Sequence, residues 1–246
     1  MNRLDGKVAL VTGGGQGVGL GIARAMVAAG ARVAVVDRIA DRAEQAAAAI
    51  GGIGLAGDVV SPVDARCCVD ETVRRLGRLD VLVNNAHHVI GQSLLDVTDE
   101  SLETVHATGF LGTFNFMKAA RPYLGRGASI INIVSSVMLK TDTTGFALYA
   151  ATKTAIRSMT RTVACEWGRD GIRVNALSPQ TDSPAWTTWS AAHPELAAKI
   201  LSEIPVGRVG DAERDVGPVA VFLASDAARY ITGSLVLADG GRGQLR

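Results

Sequence analysis

The chain has 246 residues, of which 48% are hydrophobic and 20% are charged, and its formal net charge is +1. This length and composition allow one large α/β domain with a substantial core, and they make disorder unexpected. The balanced charge disfavours nucleic-acid binding, and no apolar run approaches the roughly 20 residues that a membrane helix needs.

Short apolar runs alternate with helical patterns along the whole chain. The runs lie at 7–12, 32–37, 52–57, 80–84, 129–135, 172–178 and 234–239. Each run is continuous rather than alternating, as expected for strands buried on both faces of a parallel sheet. Amphipathic, Ala-rich stretches separate them at 18–29, 41–50, 62–76, 98–123, 149–168 and 211–225. This order predicts a single α/β domain over 1–246: a doubly wound parallel sheet of about seven strands, with helices on both faces.

The stretch 179–205 shows no clear periodicity and follows the sixth predicted strand. It contains Trp186 and Trp189, two of the three tryptophans of the chain. Sheets of this kind place substrate lids on long insertions after the carboxyl end of a strand. We therefore predict an irregular segment with a small lid at about 183–205.

A glycine-rich turn, TGGGQGVG (Thr12–Gly19), follows the first predicted strand and opens a helix. Gly13 permits a tight turn, Gly17 lets the backbone approach a pyrophosphate, and Gly19 permits close packing of helix on strand. The helix N-terminus offers N–H groups and a positive dipole to phosphate. The residues predicted to bind the pyrophosphate are Gly13, Gln16, Gly17, Val18 and Gly19.

The second predicted strand ends in Asp37, about 20 residues after the glycine-rich turn. A carboxylate at this position can bind the ribose hydroxyls of the adenosine and would repel a 2′-phosphate. Arg38 could bind such a phosphate, but we favour the interpretation that Arg38 is a solvated residue at the start of a helix. The pattern therefore predicts NAD rather than NADP, with Asp37 and Arg38 beside the ribose.

Tyr149 and Lys153 lie at i and i+4 on one face of a predicted helix, and Ser136 lies thirteen residues before Tyr149. A tyrosine acts as general acid/base near neutral pH only if its phenolate is stabilised, because its free pKa is about 10. A lysine ammonium one turn away can lower that pKa and can also hold a ribose. A serine hydroxyl can orient and polarise a substrate oxygen. Ser136, Tyr149 and Lys153 are therefore the predicted catalytic residues.

These motifs together resemble those of the short-chain dehydrogenase/reductase family, in its single-domain branch of roughly 250 residues. The resemblance runs from GKVALVTGGGQGVG through GDV, LDVLVNNA, SIINIVSS, YAATK, GIRVNALSP and IPVGRVG to ITGSLVLADGG. It implies a Rossmann-type fold, an NAD(P)-dependent oxidoreductase that interconverts alcohols and carbonyls, and usually a homotetramer. It implies adenine contacts from Asp58 and Val59 and ribose contacts from Asn85 and Ala86. The contacts that it implies around the nicotinamide are Tyr149, Lys153, Pro179, Gln180 and Asp182, with backbone 179–183 closing over the amide.

The chain departs from the family pattern at three positions. His87 replaces a glycine, Gly109 replaces a catalytic asparagine, and Gln180 replaces a glycine. In the family the asparagine carbonyl holds a water that links the lysine to solvent. Gly109 keeps a carbonyl, so we expect Gly109→Asn to leave or raise turnover. Asn115, six residues further on, lies on a different helix face and is no substitute.

The adjacent His87 and His88 raise three possibilities: a metal site, a second acid/base, or the lining of a pocket. Adjacent residues of an extended segment point in opposite directions, and no further ligand lies nearby with metal spacing, which disfavours a metal. A second acid/base is less favoured because Tyr149 already has that role. We expect one imidazole to line the substrate pocket and the other to pack away or face solvent. The predicted pocket residues are His87, His88, Phe146, Trp186 and Trp189.

The two tryptophans suggest an apolar or cyclic substrate, although they could equally belong to the core or an interface. We predict an NAD(H)-dependent alcohol dehydrogenase or ketoreductase that transfers hydride between nicotinamide and a secondary carbinol carbon. Two alternatives stay open: an NAD-binding sensor or scaffold, and a non-redox enzyme. A net change in NADH during the reaction would distinguish the dehydrogenase from both. Three cysteines without a CxxC pattern, and an N-terminus without a signal layout, indicate the cytoplasm. We expect a small-molecule substrate and no nucleic acid, membrane or metal.

Overall fold

The computed structural model describes residues 3–140 and 143–243. Within these ranges the chain forms a sheet of seven parallel strands, as predicted. The strands are β1 (Val8–Thr12), β2 (Arg32–Asp37), β3 (Ile53–Ala56), β4 (Val81–Asn84), β5 (Ser129–Ile133), β6 (Arg173–Pro179) and β7 (Leu235–Ala238). Each strand coincides with one apolar run of the sequence, and only β6 extends one residue beyond its run, because buried β-branched runs favour strands.

Helices connect the strands and cover both faces of the sheet. They are α1 (Gly17–Ala28), α2 (Ala40–Ile50), α3 (Pro62–Leu76), α4 (Asp99–His106), α5 (Gly112–Ala120), α6 (Ala147–Trp167), α7 (Pro184–Ala192), α8 (Pro194–Ser202) and α9 (Gly217–Ala224). Local signals fix several of the boundaries. Before α3, for example, the Ser61 hydroxyl accepts the Asp64 N–H at 3.1 Å, and Pro62 occupies the first turn.

The strand order is β3-β2-β1-β4-β5-β6-β7. The chain moves outward in one direction from β1 to β3, and then returns to start the other half at β4. A crevice therefore opens between the carboxyl ends of β1 and β4, where the direction of winding reverses. Open α/β sheets bind their ligands in this position.

Two apolar layers pack against the sheet. On one face Ile22 and Met26 of α1 and Leu223 of α9 are fully buried against the strands. On the other face Phe116 of α5 and Val69 of α3 are equally buried. Burial on both faces explains why the strand sequences are continuous apolar runs rather than alternating ones.

The predicted helix at 98–123 is not one regular helix. A π-helical turn at Ala107–Leu111 separates α4 from α5, and a 3-10 turn at Arg121–Tyr123 contains Pro122. The apolar period alone could not reveal the wide turn, because such a bulge shifts the helix face by a single residue. Gly109, in the middle of this turn, is buried.

The stretch 179–205 is mostly helical, which corrects the prediction of an irregular segment. The Ser183 hydroxyl accepts the Trp186 N–H at 3.1 Å and caps α7, which has Pro184 in its first turn. His193 then breaks the helical geometry before Pro194 opens α8. Each helix has only nine residues, too short for an amphipathic pattern to stand out in the sequence.

Among residues 3–140 and 143–243, no helix combines the length and apolarity that crossing a bilayer requires. The same residues contain no group of three or more His, Cys, Asp or Glu side chains placed to hold a metal ion.

Candidate active site

A cleft of about 1990 Å³ occupies the crevice at the carboxyl edge of the sheet. It extends from the β1–α1 turn to the segment that carries α7 and α8. Predicted site residues that line it are Gly13, Gln16, Gly17, Val18, Asp37, Arg38, Asp58, Val59, Asn85, Ala86, His87, His88, Ser136, Phe146, Tyr149, Lys153, Pro179, Gln180, Trp186 and Trp189. Gly19 and Asp182 do not line it.

The glycine-rich turn has the backbone that its sequence demands. Gly13 and Gly17 have φ of +59° and +54°, in the left-handed region that glycine adopts without strain. A Cβ on Gly19 would lie 2.3 Å from the Gly13 carbonyl oxygen, so this glycine permits the close packing of α1. Gly19 therefore packs against the backbone of the turn rather than facing the cleft, which explains why it does not line the cleft.

Asn85 fixes the glycine-rich turn from the neighbouring strand end. Its side-chain amide donates to the carbonyl oxygens of Thr12 and Gly13, each at 3.0 Å. The Thr12 hydroxyl in turn accepts the backbone N–H groups of Asn85 and Ala86, at 3.0 and 3.2 Å. Hydrogen bonds thus connect the ends of β1 and β4, the two strands that form the crevice.

The turn fits the pyrophosphate of a dinucleotide. No side chain caps the N-terminus of α1, since Gln16 makes no capping hydrogen bond. The first N–H groups of the helix and its dipole are therefore available to an anion. The glycines keep Cβ atoms out of the approach.

Asp37 ends β2 inside the cleft and is only 7% exposed. Its carboxylate accepts the Ile39 N–H at 3.1 Å, and the Arg42 guanidinium lies 3.7 Å away. Arg38 is exposed. The acidic group therefore stands inside the cleft wall, with two arginines at its rim.

The loop after β3 forms the adjoining wall of the cleft. The Asp58 carboxylate accepts the Val60 N–H at 3.0 Å, and Val59 is 8% exposed. Asn115 donates its amide to the carbonyl oxygens of Val59 and Val60 at 3.0 and 3.1 Å, so it supports this loop. These contacts agree with the expectation that Asn115 does not substitute for the family asparagine.

Tyr149 and Lys153 face the cleft from the first turns of α6. The Lys153 ammonium lies 5.5 Å from the centre of the Tyr149 ring and donates to the Ile133 carbonyl at 2.8 Å. Lys153 is only 3% exposed, and burial lowers its pKa to about 7. Burial also raises the pKa of Tyr149, and a hydrogen bond with the Ser135 side chain acts in the opposite direction. The expectation that Lys153 lowers the tyrosine pKa is thus outweighed here by desolvation.

The serine in contact with Tyr149 is Ser135, one position before the predicted Ser136. Ser135 follows β5 and also accepts the Val137 N–H at 3.3 Å. Ser136 begins the 3-10 turn that follows and is 3% exposed, with its Cβ against Gly243. The geometry therefore favours Ser135 over Ser136 for holding a substrate oxygen. Position relative to the end of β5, rather than distance back from the tyrosine, was the signal that could have found it.

The two histidines have different surroundings. The His87 ring stacks on Tyr149 with centroids 5.1 Å apart and planes at 24°, whereas His88 is exposed. His87 Nε2 lies 3.0 Å from the Val105 carbonyl oxygen, and burial lowers the pKa of His87 to about 2. His87 is therefore neutral, and its Nε2–H donates to that carbonyl.

The environment of Gly109 contradicts the expectation that Gly109→Asn would leave or raise turnover. A Cβ at this position would lie 2.5 Å from Thr152 Cγ2 and 2.6 Å from His87 Nε2. The Gly109 carbonyl already accepts the Thr113 hydroxyl at 2.8 Å. Any larger residue at position 109 must displace its neighbours, so we expect loss of activity instead.

Aromatic side chains line the end of the cleft beyond Tyr149. Phe146 meets Tyr149 edge-on with centroids 6.4 Å apart. Trp186 and Trp189 on α7 are half-buried with centroids 5.5 Å apart, and Trp189 lies 5.3 Å from the ring of His193. This part of the cleft is thus bordered by flat, largely apolar surfaces.

The segment after β6 contributes backbone and one amide to the cleft. Gln180 accepts the Arg242 guanidinium at 2.9 Å, and Thr181 is 7% exposed in the cleft wall. Asp182 is exposed and accepts the Thr187 hydroxyl at 3.0 Å, so its side chain faces away from the cleft. The side chain of Asp182 therefore does not reach the cleft, and the predicted cofactor contact stays a prediction for its backbone alone.

Arg42, like Ser135, was missed by sequence reasoning, whereas Thr181 lies within the predicted backbone stretch 179–183. Arg42 lies in the first turn of α2, five residues after Asp37, where an arginine is ordinarily a solvated surface residue. Only the packing of α2 against the end of β2 shows that its guanidinium reaches the carboxylate. No sequence signal distinguishes it from the other arginines of the chain.

Comparisons with known proteins cover almost the whole chain. The family model described as enoyl-(acyl carrier protein) reductase matches residues 13–242. The 12alpha-hydroxysteroid dehydrogenase of Clostridium sp. is 35% identical in an alignment 258 positions long, which covers 99% of this chain and 99% of that protein. The galactitol 2-dehydrogenase (L-tagatose-forming) of Cereibacter sphaeroides is 36% identical in an alignment 244 positions long, which covers 97% of this chain and 96% of that protein.

Solved structures agree with these matches. A short chain dehydrogenase from Burkholderia cenocepacia J2315, solved in complex with NADP, superposes with a TM-score of 0.91. It is 32% identical, and the alignment covers 98% of this chain and 100% of that one. The chain therefore belongs to the short-chain dehydrogenase/reductase family and is an oxidoreductase of that family.

Proposed function

We propose that this protein is an NAD(H)-dependent oxidoreductase that interconverts a secondary alcohol and a ketone. The observation that carries the proposal is the convergence of Ser135, Tyr149 and Lys153 at one end of a cleft whose other end is a bare glycine turn. A bound oxidised nicotinamide supplies the hydride acceptor and a positive charge that favours the tyrosinate. The chain supplies proton transfer, orientation and exclusion of water.

Each of the three residues has a distinct role in the proposed reaction. The Tyr149 phenolate takes the proton of the alcohol in oxidation, and the Tyr149 hydroxyl returns it in reduction. The Ser135 hydroxyl holds the substrate oxygen beside that tyrosine. Lys153 is fixed by the Ile133 carbonyl beneath the tyrosine ring, where its amine can hold a ribose hydroxyl and, while protonated, favours the phenolate.

The role of Ser135 is tested by comparing the same substitution at Ser135 and at its neighbour Ser136. We expect Ser135→Ala to lower kcat about 10- to 100-fold, because one oriented hydrogen bond to the reacting oxygen is lost. Ser136→Ala should cost less, since Ser136 is turned against Gly243. Initial rates of both variants with the same alcohol test this order, and a larger loss in Ser136→Ala would return the role to Ser136.

Asp37 supports NAD rather than NADP as the cofactor. Its buried carboxylate stands where the adenosine ribose is expected, and a 2′-phosphate there would meet a like charge. Arg38 and Arg42 stand at the rim, but Arg42 is engaged by Asp37 itself. We therefore expect the repulsion of a 2′-phosphate by Asp37 to exceed its attraction to Arg38 and Arg42.

Removal of that charge should change cofactor selectivity. We expect Asp37→Asn to lower kcat/KM for NAD about 10- to 100-fold, because charge-assisted hydrogen bonds to the ribose are lost. The same change should raise kcat/KM for NADP, since repulsion is removed and Arg42 is released. Steady-state rates with both cofactors measure the ratio.

Asp41→Asn is the matched control, because Asp41 is an exposed carboxylate in the first turn of α2. It should leave the ratio of the two kcat/KM values unchanged. A wild-type protein that prefers NADP, or an Asp37→Asn variant with an unchanged ratio, would contradict the role of Asp37.

The substrate that we propose is an apolar or cyclic secondary alcohol. Phe146, Trp186 and Trp189 border the cleft beyond Tyr149 and offer flat surfaces to a ring. One relative is named for a hydroxysteroid and another for galactitol, so the family itself includes ring and open-chain alcohols. The proposal includes the lid role of α7 and α8, which carry the tryptophans.

We further propose a cytoplasmic homotetramer. All three cysteines are free thiols in the structure, as expected in a reducing compartment. Large apolar side chains are exposed along the continuous stretch 94–114, which supports an interface between copies. They are Leu94, Leu95, Leu102, Leu111 and Phe114.

The function is tested with purified protein, NAD and a panel of alcohols, by the absorbance of the reduced nicotinamide. The panel contains steroid and other cyclic secondary alcohols, aromatic and aliphatic secondary alcohols, and sugar alcohols. We expect turnover that is fastest with a cyclic or aromatic member. Consumption of substrate without net NADH would support a non-redox enzyme, and cofactor binding without turnover would support a sensor.

A further inference from the structure

The π-helical turn at Ala107–Leu111 places Gly109 directly behind the reacting end of the cleft. Gly109 is buried, and side chains of two neighbouring residues occupy the space that its own side chain would need. Those neighbours are the Thr152 methyl, 2.5 Å from the position of a Cβ, and His87 Nε2, 2.6 Å from it. Real Cβ contacts are never this short, so the glycine and the imidazole depend on each other.

The His87 ring is held in a fixed orientation. Its Nε2–H donates to the Val105 carbonyl at 3.0 Å, at the point where α4 gives way to the wide turn. That bond fixes the tautomer and leaves Nδ1 as a bare acceptor, which is buried without a partner among residues 3–140 and 143–243. The ring stacks on Tyr149 at 5.1 Å with planes only 24° apart.

We propose that His87 is a positioning residue, which occupies the space left by Gly109 and holds the Tyr149 ring in its reactive orientation by stacking. His87 and Gly109 then act as one interlocked pair: the glycine makes room for the imidazole, and the imidazole fixes the tyrosine. This inference rests on the proposed function, because it assigns His87 a role through Tyr149. It differs from a pocket-lining role, since His87 acts on the tyrosine rather than on the substrate.

A role of His87 as a second acid or base fits the contacts less well. Its Nε2–H is committed to Val105, and the buried ammonium of Lys153 opposes any positive charge on the ring. The titratable neighbours of Tyr149 are thus His87 and Lys153, of which His87 stays neutral. What His87 contributes is a flat face, a single donor and the exclusion of water.

Three substitutions of His87 separate these contributions. His87→Ala removes the stack and admits water, so we expect kcat to fall about 10- to 100-fold while KM for NAD changes less than about threefold. His87→Phe keeps a flat ring but lacks the donor, and should retain most of kcat. His87→Gln offers an N–H to Val105 without a ring, and should resemble His87→Ala.

The titration of Tyr149 gives a readout that does not depend on turnover. The chain has three tyrosines, so the tyrosinate absorbance of Tyr149 can be isolated by difference from Tyr149→Phe. Because burial raises the pKa of Tyr149, admission of water in His87→Ala should lower that pKa by about 0.5 to 1 pH unit. His87→Phe should leave it near the wild-type value. Rescue by Gln and not by Phe would overturn the proposal in favour of a structural bond to Val105.

The interlock itself is tested by thermal unfolding. Gly109→Ala should lower Tm by about 5 °C, because overpacking forces both neighbours to move. In a His87→Ala background the same change should cost at most half as much, and adding Thr152→Ser, which removes the second contact, should abolish most of the rest. Gly168→Ala is the control, since a Cβ there meets open space without a positive φ. A full cost of Gly109→Ala in every background would overturn the interlock.

A second control distinguishes the role of His87 from the loss of any stacked histidine. His106 stacks on Phe110 with centroids 5.3 Å apart and planes at 23°, nearly the geometry of His87 on Tyr149, but is exposed. His106→Ala should leave kcat and the Tyr149 titration unchanged. Absence of turnover in wild type with every alcohol would contradict the proposed function. The tyrosinate and Tm results would still decide whether His87 positions Tyr149.

Discussion

Tyr149→Phe is expected to lower kcat about 10²- to 10⁴-fold, the range ascribed to a positioned general acid/base. The substitution removes only the hydroxyl, and the ring remains between His87 and Phe146. KM for NAD should change little, because the glycine turn and Asp37 lie at the other end of the cleft. Initial rates of NADH formation from the best alcohol provide the measurement.

The pH dependence of the wild-type protein belongs to the same prediction. Oxidation needs the tyrosinate as base, and burial raises the pKa of Tyr149. Oxidation should therefore accelerate as pH rises into the alkaline range, whereas reduction, which needs the protonated hydroxyl, should be favoured at lower pH. Tyr230→Phe is the control, since Tyr230 is fully exposed, and it should preserve both rate and profile. A Tyr149→Phe variant with more than a tenth of wild-type kcat would exclude Tyr149 as the acid/base.

Lys153→Met should lower kcat by about 100-fold or more, because the amine that lies beneath the Tyr149 ring and can hold a ribose hydroxyl is lost. It should also change how stability depends on pH. Lys153 has a pKa of about 7 in the folded protein, against 10.5 for the free side chain. Between these values the unfolded chain binds more protons than the folded one, so the wild-type free energy of unfolding rises with pH. The variant lacks this gain.

The free energy of unfolding of wild type relative to Lys153→Met should therefore be constant below pH 7. It should increase by about 3 kcal/mol between pH 7 and 10. Urea unfolding of the cofactor-free proteins across this range measures the difference. Lys118→Met is the matched control, because Lys118 lies 5.8 Å from the Phe114 ring on an exposed helix face. Its difference from wild type should stay flat, and a flat difference for Lys153→Met would contradict the depressed pKa.

Most of the fold could be predicted from the sequence, because the apolar runs and helical periods that indicate it are local and recur along the chain. Each continuous apolar run predicts its own strand and each intervening helical period its own helix. Six of the seven strands lie within the predicted runs, and β6 extends one residue beyond its run. The π-helical turn and the two short helices of 179–205 were missed for the opposite reason. Each depends on a few residues, and a wide turn is stabilised by tertiary contacts such as the bond from His87 to Val105.

Residues of the candidate site divide in the same way. Glycines with a positive φ and an acidic residue at a strand end are dictated by backbone geometry, so Gly13, Gly17 and Asp37 could be placed from sequence. Of the adjacent Ser135 and Ser136, the distance back from Tyr149 favoured Ser136, and only the position just after the end of β5 favours Ser135. The steric dependence of Gly109 on His87 joins residues far apart in the chain, and only the packed structure shows it.

The hydride-transfer function is tested most directly with the best alcohol of the panel, carrying deuterium on its carbinol carbon. Mass spectrometry of the recovered cofactor follows the label. The proposed function predicts one deuterium in each reduced nicotinamide, one ketone for each alcohol consumed, and both products about 10²- to 10⁴-fold more slowly with Tyr149→Phe. A converted alcohol with no label in the cofactor would contradict it.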